Sequence, residues 1–189
     1  RPGGMLVQTI PAYRLPRETL AREIRMIEQL GVTIETNKKL GQDFTLQELR
    51  DKKYDALFIG IGAPESFGLG IMGEDAAGVV MALPFLREYN IRGSVPVGKK
   101  VVVVGGGNAA IDAARTALRL GAEIVTVLYR RSQEEMPAYA EEVREAIYEG
   151  IKLMPLTHPV EILKSPDGKV SDVKCMTMKL GDYDRSGRR

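Results

Sequence analysis

The second half of the chain is built from short apolar runs separated by a helical pattern. Val101–Val104 is wholly apolar, without polar alternation, which is typical of a parallel strand covered on both faces. An alanine-rich helical pattern follows over Ala109–Leu120 and ends at Gly121. Ile124–Tyr129 is a second apolar run. This order predicts an α/β fold in which a parallel sheet is flanked by helices.

The rest of this half predicts one more helix and three short strands. Helical spacing predicts a helix over Ala138–Glu149. Its inward face would carry Ala140, Val143 and Ile147. Asp167-Gly168 is a natural hairpin turn. The strands predicted around this turn are Lys152–Leu156, Glu161–Leu163 and Val170–Met178.

The first half of the chain has fewer regular patterns. Ile10–Pro16 contains two closely spaced prolines and is predicted to be irregular or extended. Two helices are predicted, one with an apolar face from Leu20 to Leu30 and one over Leu46–Lys52 with Thr45 as its N-cap. The strands predicted in this half are Val32–Asn37 and Tyr54–Ala63.

Two glycine-containing stretches divide the chain. Gly68–Gly78 is predicted to be a crossing linker. A helix follows over Ala77–Tyr89, and Pro84 is expected to kink or shorten it. Gly93–Gly98 is a second linker and marks a domain boundary. The two domains predicted on this basis are residues 1–95 and residues 96–189.

Composition narrows the range of partners and cofactors. The 189 residues carry a net charge of +2, too small to indicate nucleic acid or an anionic membrane as a partner. The single cysteine, Cys175, excludes an internal disulfide. Because the sequence has only one histidine as well, His158, a metal site or an iron–sulfur cluster in this chain is implausible. No run approaches the roughly 20 apolar residues of a membrane span and no signal-peptide pattern is present, so a cytoplasmic location is predicted. The start at Arg1 without methionine and the polar run from Asp182 suggest a piece of a longer polypeptide.

A glycine-rich turn joins the first strand of the second half to its helix. Gly105, Gly107 and Ala110 satisfy the Gly-x-Gly-x-x-Ala pattern of dinucleotide-binding strand–turn–helix units. Gly105 permits the tight turn, Gly107 leaves room for phosphates, and Ala110 allows close packing of the helix. The helix N-terminus then offers free N–H groups and a favourable dipole to a pyrophosphate.

The alternative is a glycine turn in an ordinary strand-to-helix connection. Strand, turn, helix and strand together occupy about 30 residues, the expected size of a dinucleotide-binding unit. This complete pattern favours a Rossmann-like parallel sheet that binds a dinucleotide. The residues predicted to contact the cofactor here are Gly105, Gly106, Gly107, Asn108, Ala109 and Ala110.

The end of the second strand indicates which dinucleotide is preferred. An NAD site usually has Asp or Glu there, which accepts hydrogen bonds from the adenosine ribose. This chain has Tyr129 followed by Arg130 and Arg131. A guanidinium can hold a 2′-phosphate bidentately, whereas a carboxylate would repel it. Arg130 and Arg131 therefore favour NADP(H) over NAD(H), and the alternative is a solvated basic pair at a strand end.

No set of side chains indicates acid–base catalysis. His158 is interpreted as a surface or packing residue, and Cys175 as a buried hydrophobe in a strand. The pairs Glu134-Glu135 and Glu141-Glu142 are interpreted as solvated or helix N-terminal charges. Asp112 is a carboxylate suited to the helix dipole, with cofactor contact a secondary role. Hydride transfer between two cofactors needs no such residues, because the cofactors carry the reaction.

Several segments are similar to one known family. The family is the NADPH-dependent flavin oxidoreductases related to the small (β) subunit of bacterial glutamate synthase. Its NADPH loop resembles Gly105–Arg115, and its segment that closes over the adenosine 2′-phosphate resembles Tyr129–Ala138. The loop-like Gly3–Leu6 and the segment Ile10–Pro16 resemble the flavin-domain loop of that family. Tyr54–Ala63 resembles the strand and turn that close on FAD.

The resemblance implies that Gly62 and Ala63 contact FAD. The family's usual alanine–threonine–glycine triplet is Gly60-Ile61-Gly62 here, so the contact of that threonine is missing. The flavin domain's N-terminal glycine fingerprint and the family's cysteine-rich iron–sulfur region are also outside this sequence. A fragment of this kind is expected to keep its pyridine-nucleotide contacts and to lose most of its FAD affinity.

The resemblance implies an oxidoreductase in which NADPH passes hydride to FAD and electrons leave through iron–sulfur centres of a partner domain or subunit. Residues 1–95 would be a partial FAD-binding domain with its linker, and residues 96–189 an NAD(P)H-binding domain. A freestanding NAD-dependent dehydrogenase would carry a Tyr–Lys or histidine-based catalytic set, which the sequence does not show. A non-catalytic nucleotide-binding or scaffold module of an electron-transfer complex stays open.

Overall fold

A three-stranded parallel sheet forms the centre of the second half of the chain. Its strands lie in the order β1 (Lys100–Val104), β2 (Ile124–Leu128) and β3 (Lys152–Met154). The predicted α/β fold with a parallel sheet is confirmed. The residues described by this computed structural model are 2–63, 65–183, 185 and 187.

Helix α5 (Asn108–Arg119) connects β1 to β2 and packs closely on the sheet because its buried face is made of small side chains. Ala114 and Ala117 are 0% and 1% exposed and belong to the same core cluster as Val125 and Val127 of β2. Two further helices pack against α5; they are α4 (Ala82–Arg92) and α6 (Ala140–Tyr148).

Two of these helices differ from their predicted form. Helix α4 begins at Ala82, so Pro84 lies in its first turn, where a missing N–H breaks no helical hydrogen bond and causes no kink. Helix α6 buries Val143 and Ala146, while the predicted inward residues Ala140 and Ile147 are exposed. The reason is that α6 packs mainly against one neighbour, α5, which covers only a narrow stripe.

The first half contributes three helices. They are α1 (Gly4–Gln8), α2 (Arg17–Gln29) and α3 (Leu46–Asp51). The segment around α1 was predicted to be a loop, whereas α2 and α3 lie where expected. The predicted cap of α3 is present as a capping box, because Thr45 Oγ1 accepts from the N–H of Glu48 at 3.2 Å and the Glu48 carboxylate accepts from the N–H of Thr45 at 2.7 Å.

The two strands predicted in the first half do not form. Residues 32–37 and 54–63 pair with no strand in the described part of the chain. Phe58 is 93% exposed and Ile61 80% exposed, so the apolar pattern is real but uncovered. An apolar run becomes a strand only when a neighbouring strand accepts its backbone hydrogen bonds.

A two-stranded antiparallel hairpin follows the parallel sheet. It consists of β4 (Thr157–Lys164) and β5 (Val170–Thr177), with Gly168 at φ +78° in the predicted turn. The Ile162 N–H donates to the Met72 carbonyl at 2.8 Å, so the predicted linker lies along this hairpin. Cys175 is exposed on β5 and not buried as predicted, because no third strand or helix in the described residues covers it there.

In the described part of the chain, no helix is both long and apolar enough to cross a membrane.

Candidate functional site

The glycine turn between β1 and α5 is folded back over the end of β2. Gly105 has φ +140°, a conformation that favours glycine, and its N–H donates to the Leu128 carbonyl at 2.9 Å. A Cβ at Gly105 would lie 3.2 Å from the Cβ of Ala110, which explains why both positions carry small residues. Strand, turn and helix are therefore packed as the glycine pattern predicts.

The N-terminus of α5 is open. Gly107 is the N-cap of the helix, and its carbonyl accepts from the N–H groups of Ala110 and Ile111 at 3.0 and 3.2 Å. Within the described residues, the N–H groups of residues 106–109 donate to no protein acceptor. A Cβ built on Gly107 would meet nothing within 4 Å, so open space lies beside this glycine. Unused N–H groups next to open space at a helix N-terminus suit a phosphate group.

Gly106 has a packing role that sequence reasoning missed. The ring of Tyr129 lies directly against it, and a Cβ at Gly106 would be 2.5 Å from Tyr129 Cε2. The ring is fixed because the Tyr129 hydroxyl donates to the Glu135 carbonyl at 2.8 Å. The available signal was the aromatic residue at the end of β2, opposite the middle glycine.

The segment after β2 is fastened to the glycine turn. The Ala138 N–H donates to the Gly106 carbonyl at 3.0 Å, and the Tyr139 N–H donates to Asn108 Oδ1 at 3.0 Å. Asn108, predicted to contact the cofactor, is the first residue of α5, and its side chain is bonded to Tyr139. The segment that carries the arginine pair and the turn that precedes α5 thus form one unit.

The two arginines differ in their surroundings. Arg130 is exposed and forms no hydrogen bond or ion pair with any residue that the structure describes. Arg131 is half-buried, and its carbonyl accepts from the N–H of Leu156 at 2.9 Å. Arg130 is therefore free to meet an anion, while the backbone of Arg131 anchors the segment to the chain after β3.

Asp112 is buried and paired, contrary to its predicted role at the helix dipole. It is 3% exposed, and Arg14 Nη1 donates to its two carboxylate oxygens at 2.9 and 2.7 Å. Arg14 Nε also lies 3.1 Å from Glu142 Oε1, so Glu142 is not a solvated charge either. Burial raises the pKa of Asp112 above its ordinary value, and the Arg14 guanidinium opposes that shift.

The pairing extends along α5 and α6. Arg115 pairs with Glu142 and with Glu149, the latter at 2.6 Å, and Arg119 pairs with Glu149 at 2.7 Å. The hydrogen bond from Arg119, supported by Arg115, lowers the pKa of Glu149 to about 2. The Arg119 guanidinium also lies 4.0 Å from the ring centroid of Tyr13. We call this six-residue set the ion network; two members, Asp112 and Arg115, are buried, and the others are Arg14, Arg119, Glu142 and Glu149.

The residues predicted to contact FAD lie in the uncovered segment of the first half. Gly62 and Ala63 are both exposed, and Gly62 has φ +69° with nothing within 4 Å of a Cβ built on it. His158 is half-buried in β4, as predicted for a surface or packing residue.

The sequence matches the pyridine nucleotide-disulphide oxidoreductase family over residues 4–185. It is 47% identical over 190 residues to the NADP(+)-dependent formate dehydrogenase subunit beta of Moorella thermoacetica, covering 99% of this chain and 27% of that protein. It is 38% identical to the glutamate synthase [NADPH] small chain of Escherichia coli, covering 99% of this chain and 42% of that protein. The chain therefore spans less than half the length of these relatives.

The fold comparison agrees with these matches. The structure of Mycobacterium tuberculosis FprA in complex with NADPH superposes with a TM-score of 0.77 at 20% identity, covering 98% of this chain and 56% of FprA. At this identity the likeness concerns the fold alone. The match over residues 4–185 covers nearly the whole chain. The chain therefore belongs to the pyridine nucleotide-disulphide oxidoreductase family.

Proposed function

We propose that this chain binds NADPH at the N-terminus of α5, as part of an oxidoreductase that transfers hydride from NADPH to FAD. The observation that carries the proposal is the set of unused N–H groups at residues 106–109 together with the open space beside Gly107. The names of the two relatives, an NADP(+)-dependent dehydrogenase subunit and an NADPH glutamate synthase chain, support the same nucleotide. Residues proposed to line this site are Gly105, Gly106, Gly107, Asn108, Ala109 and Ala110.

We assign different parts to these residues. The N–H groups of residues 106–109 would donate to the pyrophosphate, and the absence of a side chain at Gly107 would let the phosphates approach. Gly105 and Ala110 would act by shape, because their close approach sets the turn. The Asn108 side chain would act through Tyr139, by holding the arginine segment beside the phosphates.

Arg130 and Arg131 would select NADPH over NADH. The free guanidinium of Arg130 can pair with an adenosine 2′-phosphate, and no carboxylate occupies the strand end where NAD sites place one. Arg131 would add a second positive charge beside it. NADH lacks this phosphate, so the pair would contribute little to its affinity.

FAD would be the hydride acceptor in the longer protein. FAD, when bound, takes up the hydride and releases electrons one at a time. Gly62 fits a close approach of this cofactor, because its positive φ and the open space beside it leave the backbone accessible. In this arrangement residues 1–95 belong to the flavin domain and residues 96–189 to the nucleotide domain. The chain's own side chains would bind and orient the nucleotide and would move no proton.

An iron–sulfur domain or subunit would receive the electrons. The chain is 45% identical to the NADPH-Fe(3+) oxidoreductase subunit beta of Geobacter sulfurreducens, and covers 28% of it. Electron transfer beyond this chain would agree with that name. The competing function is a non-catalytic nucleotide-binding scaffold. Such a scaffold would bind NADPH without oxidising it. The cytoplasmic location stays a prediction.

The proposal is tested by titrating the protein with NADPH and with NADH at one salt concentration. Replacing Arg130 and Arg131 with alanine should weaken NADPH binding by about 10-fold or more, because this is the effect of losing one charge-assisted pair. NADH binding should change by less than about twofold. Arg144→Ala is the matched control, because Arg144 is an exposed arginine on α6 outside the site. Equal losses for both nucleotides would refute the specificity, and no binding by the unaltered protein would refute the site. Bleaching of bound flavin by NADPH separates the enzyme from the scaffold.

A further inference from the structure

We infer that Arg14 is a positioning residue for hydride transfer, which holds the first-half segment 10–16 in a fixed place on the nucleotide-binding helices α5 and α6. The inference rests on the proposed function, because it concerns the orientation of the proposed flavin domain relative to the nucleotide. It adds a role for residues that lie outside the glycine turn and the arginine pair.

Arg14 joins three parts of the chain with one guanidinium. Its Nη1 reaches Asp112 of α5 at 2.7 Å and its Nε lies 3.1 Å from Glu142 of α6. Its side chain is 14% exposed and that of Asp112 is 4% exposed. A planar guanidinium with several fixed donors can serve two carboxylates on different helices at once, which a lysine ammonium on its flexible stem cannot do with the same geometry.

The neighbouring residue binds the same face of α5. The Tyr13 hydroxyl lies 3.3 Å from the Asp112 carbonyl, to which it donates, and 3.4 Å from Thr116 Oγ1. The Tyr13 ring lies beneath the guanidinium of Arg119. Two consecutive residues of segment 10–16 therefore hold α5 along more than one helical turn.

The position of this contact links it to the nucleotide. Asp112 lies four residues after Asn108, the first residue of α5, and so about one turn from the free N–H groups. Glu142 lies in the first turn of α6, three residues after Tyr139, which is bonded to Asn108. Any movement of segment 10–16 on these helices changes where the segment stands relative to the proposed pyrophosphate site.

Hydride transfer is sensitive to such a movement. The reacting atoms must approach to about 3–3.5 Å, and a misplacement of about 1 Å can lower the rate by about 100-fold. Nucleotide binding is less sensitive, because the glycine turn and Arg130 belong to the nucleotide-binding half alone. Loosening Arg14 should therefore slow the transfer while leaving the affinity for NADPH nearly unchanged.

The test uses the full-length, FAD-loaded protein with Arg14→Lys and Arg14→Ala. We expect flavin bleaching by NADPH in stopped flow to slow by about 10-fold or more in both variants, with more rate retained by lysine, while the Kd for NADPH changes by less than about threefold. Hydrogen exchange should speed up in residues 10–16 and stay constant in α5. Arg144→Lys is the matched control, because Arg144 is an exposed arginine on α6 that belongs neither to the network nor to the proposed site. Its bleaching rate should stay within about twofold.

Each outcome decides the inference. Unchanged bleaching in both Arg14 variants would overturn it, as would an equal slowing in the Arg144 control or a parallel loss of NADPH affinity. If the alanine variant does not fold, the lysine variant decides, since it keeps the charge. If NADPH fails to bleach the flavin of the unaltered protein, the proposed function fails by itself. The exchange of residues 10–16 in the lysine variant then still tests whether Arg14 holds the segment.

Discussion

Gly106 and Gly107 are adjacent in one glycine turn, but an added methyl group should affect different properties: the stability at Gly106 and the nucleotide affinity at Gly107. At Gly106 a Cβ would lie 2.5, 2.6 and 2.9 Å from three ring atoms of Tyr129. At Gly107 nothing lies within 4 Å, and φ −90° is a conformation that any residue adopts. Gly106→Ala therefore tests packing, and Gly107→Ala tests binding.

The cost at Gly106 follows from how firmly the ring is held. Tyr129 is 7% exposed and its hydroxyl is bonded to the Glu135 carbonyl, so the ring must move by about 1 Å to restore ordinary contact. Overpacking of this kind costs about 1–3 kcal/mol, and loss of the hydroxyl's hydrogen bond adds about 1 kcal/mol. We expect Gly106→Ala to lower the free energy of unfolding by about 2–4 kcal/mol.

The assay is urea unfolding of both variants beside NADPH titration. Gly107→Ala should change the free energy of unfolding by less than about 0.5 kcal/mol and weaken NADPH binding by about 10-fold or more, since its methyl enters the space proposed for the phosphates. A double-mutant cycle of Gly106→Ala with Tyr129→Leu should show a favourable coupling of about 1 kcal/mol or more.

Two results would refute this reasoning. If Gly106→Ala unfolds at the same urea concentration as the unaltered protein, the Tyr129 ring does not limit the turn. If Gly107→Ala leaves NADPH affinity unchanged, the open space beside the N–H groups is not the phosphate position.

Three further predictions concern titration and exposure. The hydrogen bond from Arg119 lowers the pKa of Glu149 to about 2, so the stabilisation that Glu149 provides is present above pH 4.5 and is lost as the pH falls toward 2. In Glu149→Gln the free energy of unfolding should therefore fall less steeply over that pH range. Burial raises the pKa of Tyr13 to about 12, so its contribution to the free energy of unfolding is complete below pH 10 and is lost as the pH rises through 12. In Tyr13→Phe the free energy of unfolding should therefore lose the pH dependence that Tyr13 causes between pH 10 and 12. Cys175 is exposed, so a maleimide should label it completely in the native chain, and labelling only after unfolding would contradict the structure.

The centre of the fold could be predicted from the sequence because its signals are local. The glycine turn, the apolar run before it and the small residues after it all lie within Val101–Ala117, and each agrees with the others. The proposed preference for NADPH at Arg130 also rests on neighbouring residues alone. The failed strands at 32–37 and 54–63 show the limit, because their apolar pattern was correct but no partner strand is present among the described residues.

The ion network could not be predicted from local patterns. Arg14 and Asp112 are 98 positions apart, and nothing near either residue indicates the other. Glu142 and Glu149 have the spacing of a solvated helix face, and only the packing of α6 on α5 pairs and half-buries them. Charged residues on a helix surface are usually solvated, so the general rule was wrong for these two.

The hydrogen bonds from Ala138 to Gly106 and from Tyr139 to Asn108 have a kinetic consequence. The segment that carries Arg130 is already ordered against the turn proposed to hold the phosphates, so nucleotide capture at that turn would have no loop to fold. Association should then be limited by diffusion, and the two nucleotides should enter at similar rates once salt screens the extra charge of the 2′-phosphate. Discrimination between NADPH and NADH would be expressed in their residence times, with the 2′-phosphate slowing departure.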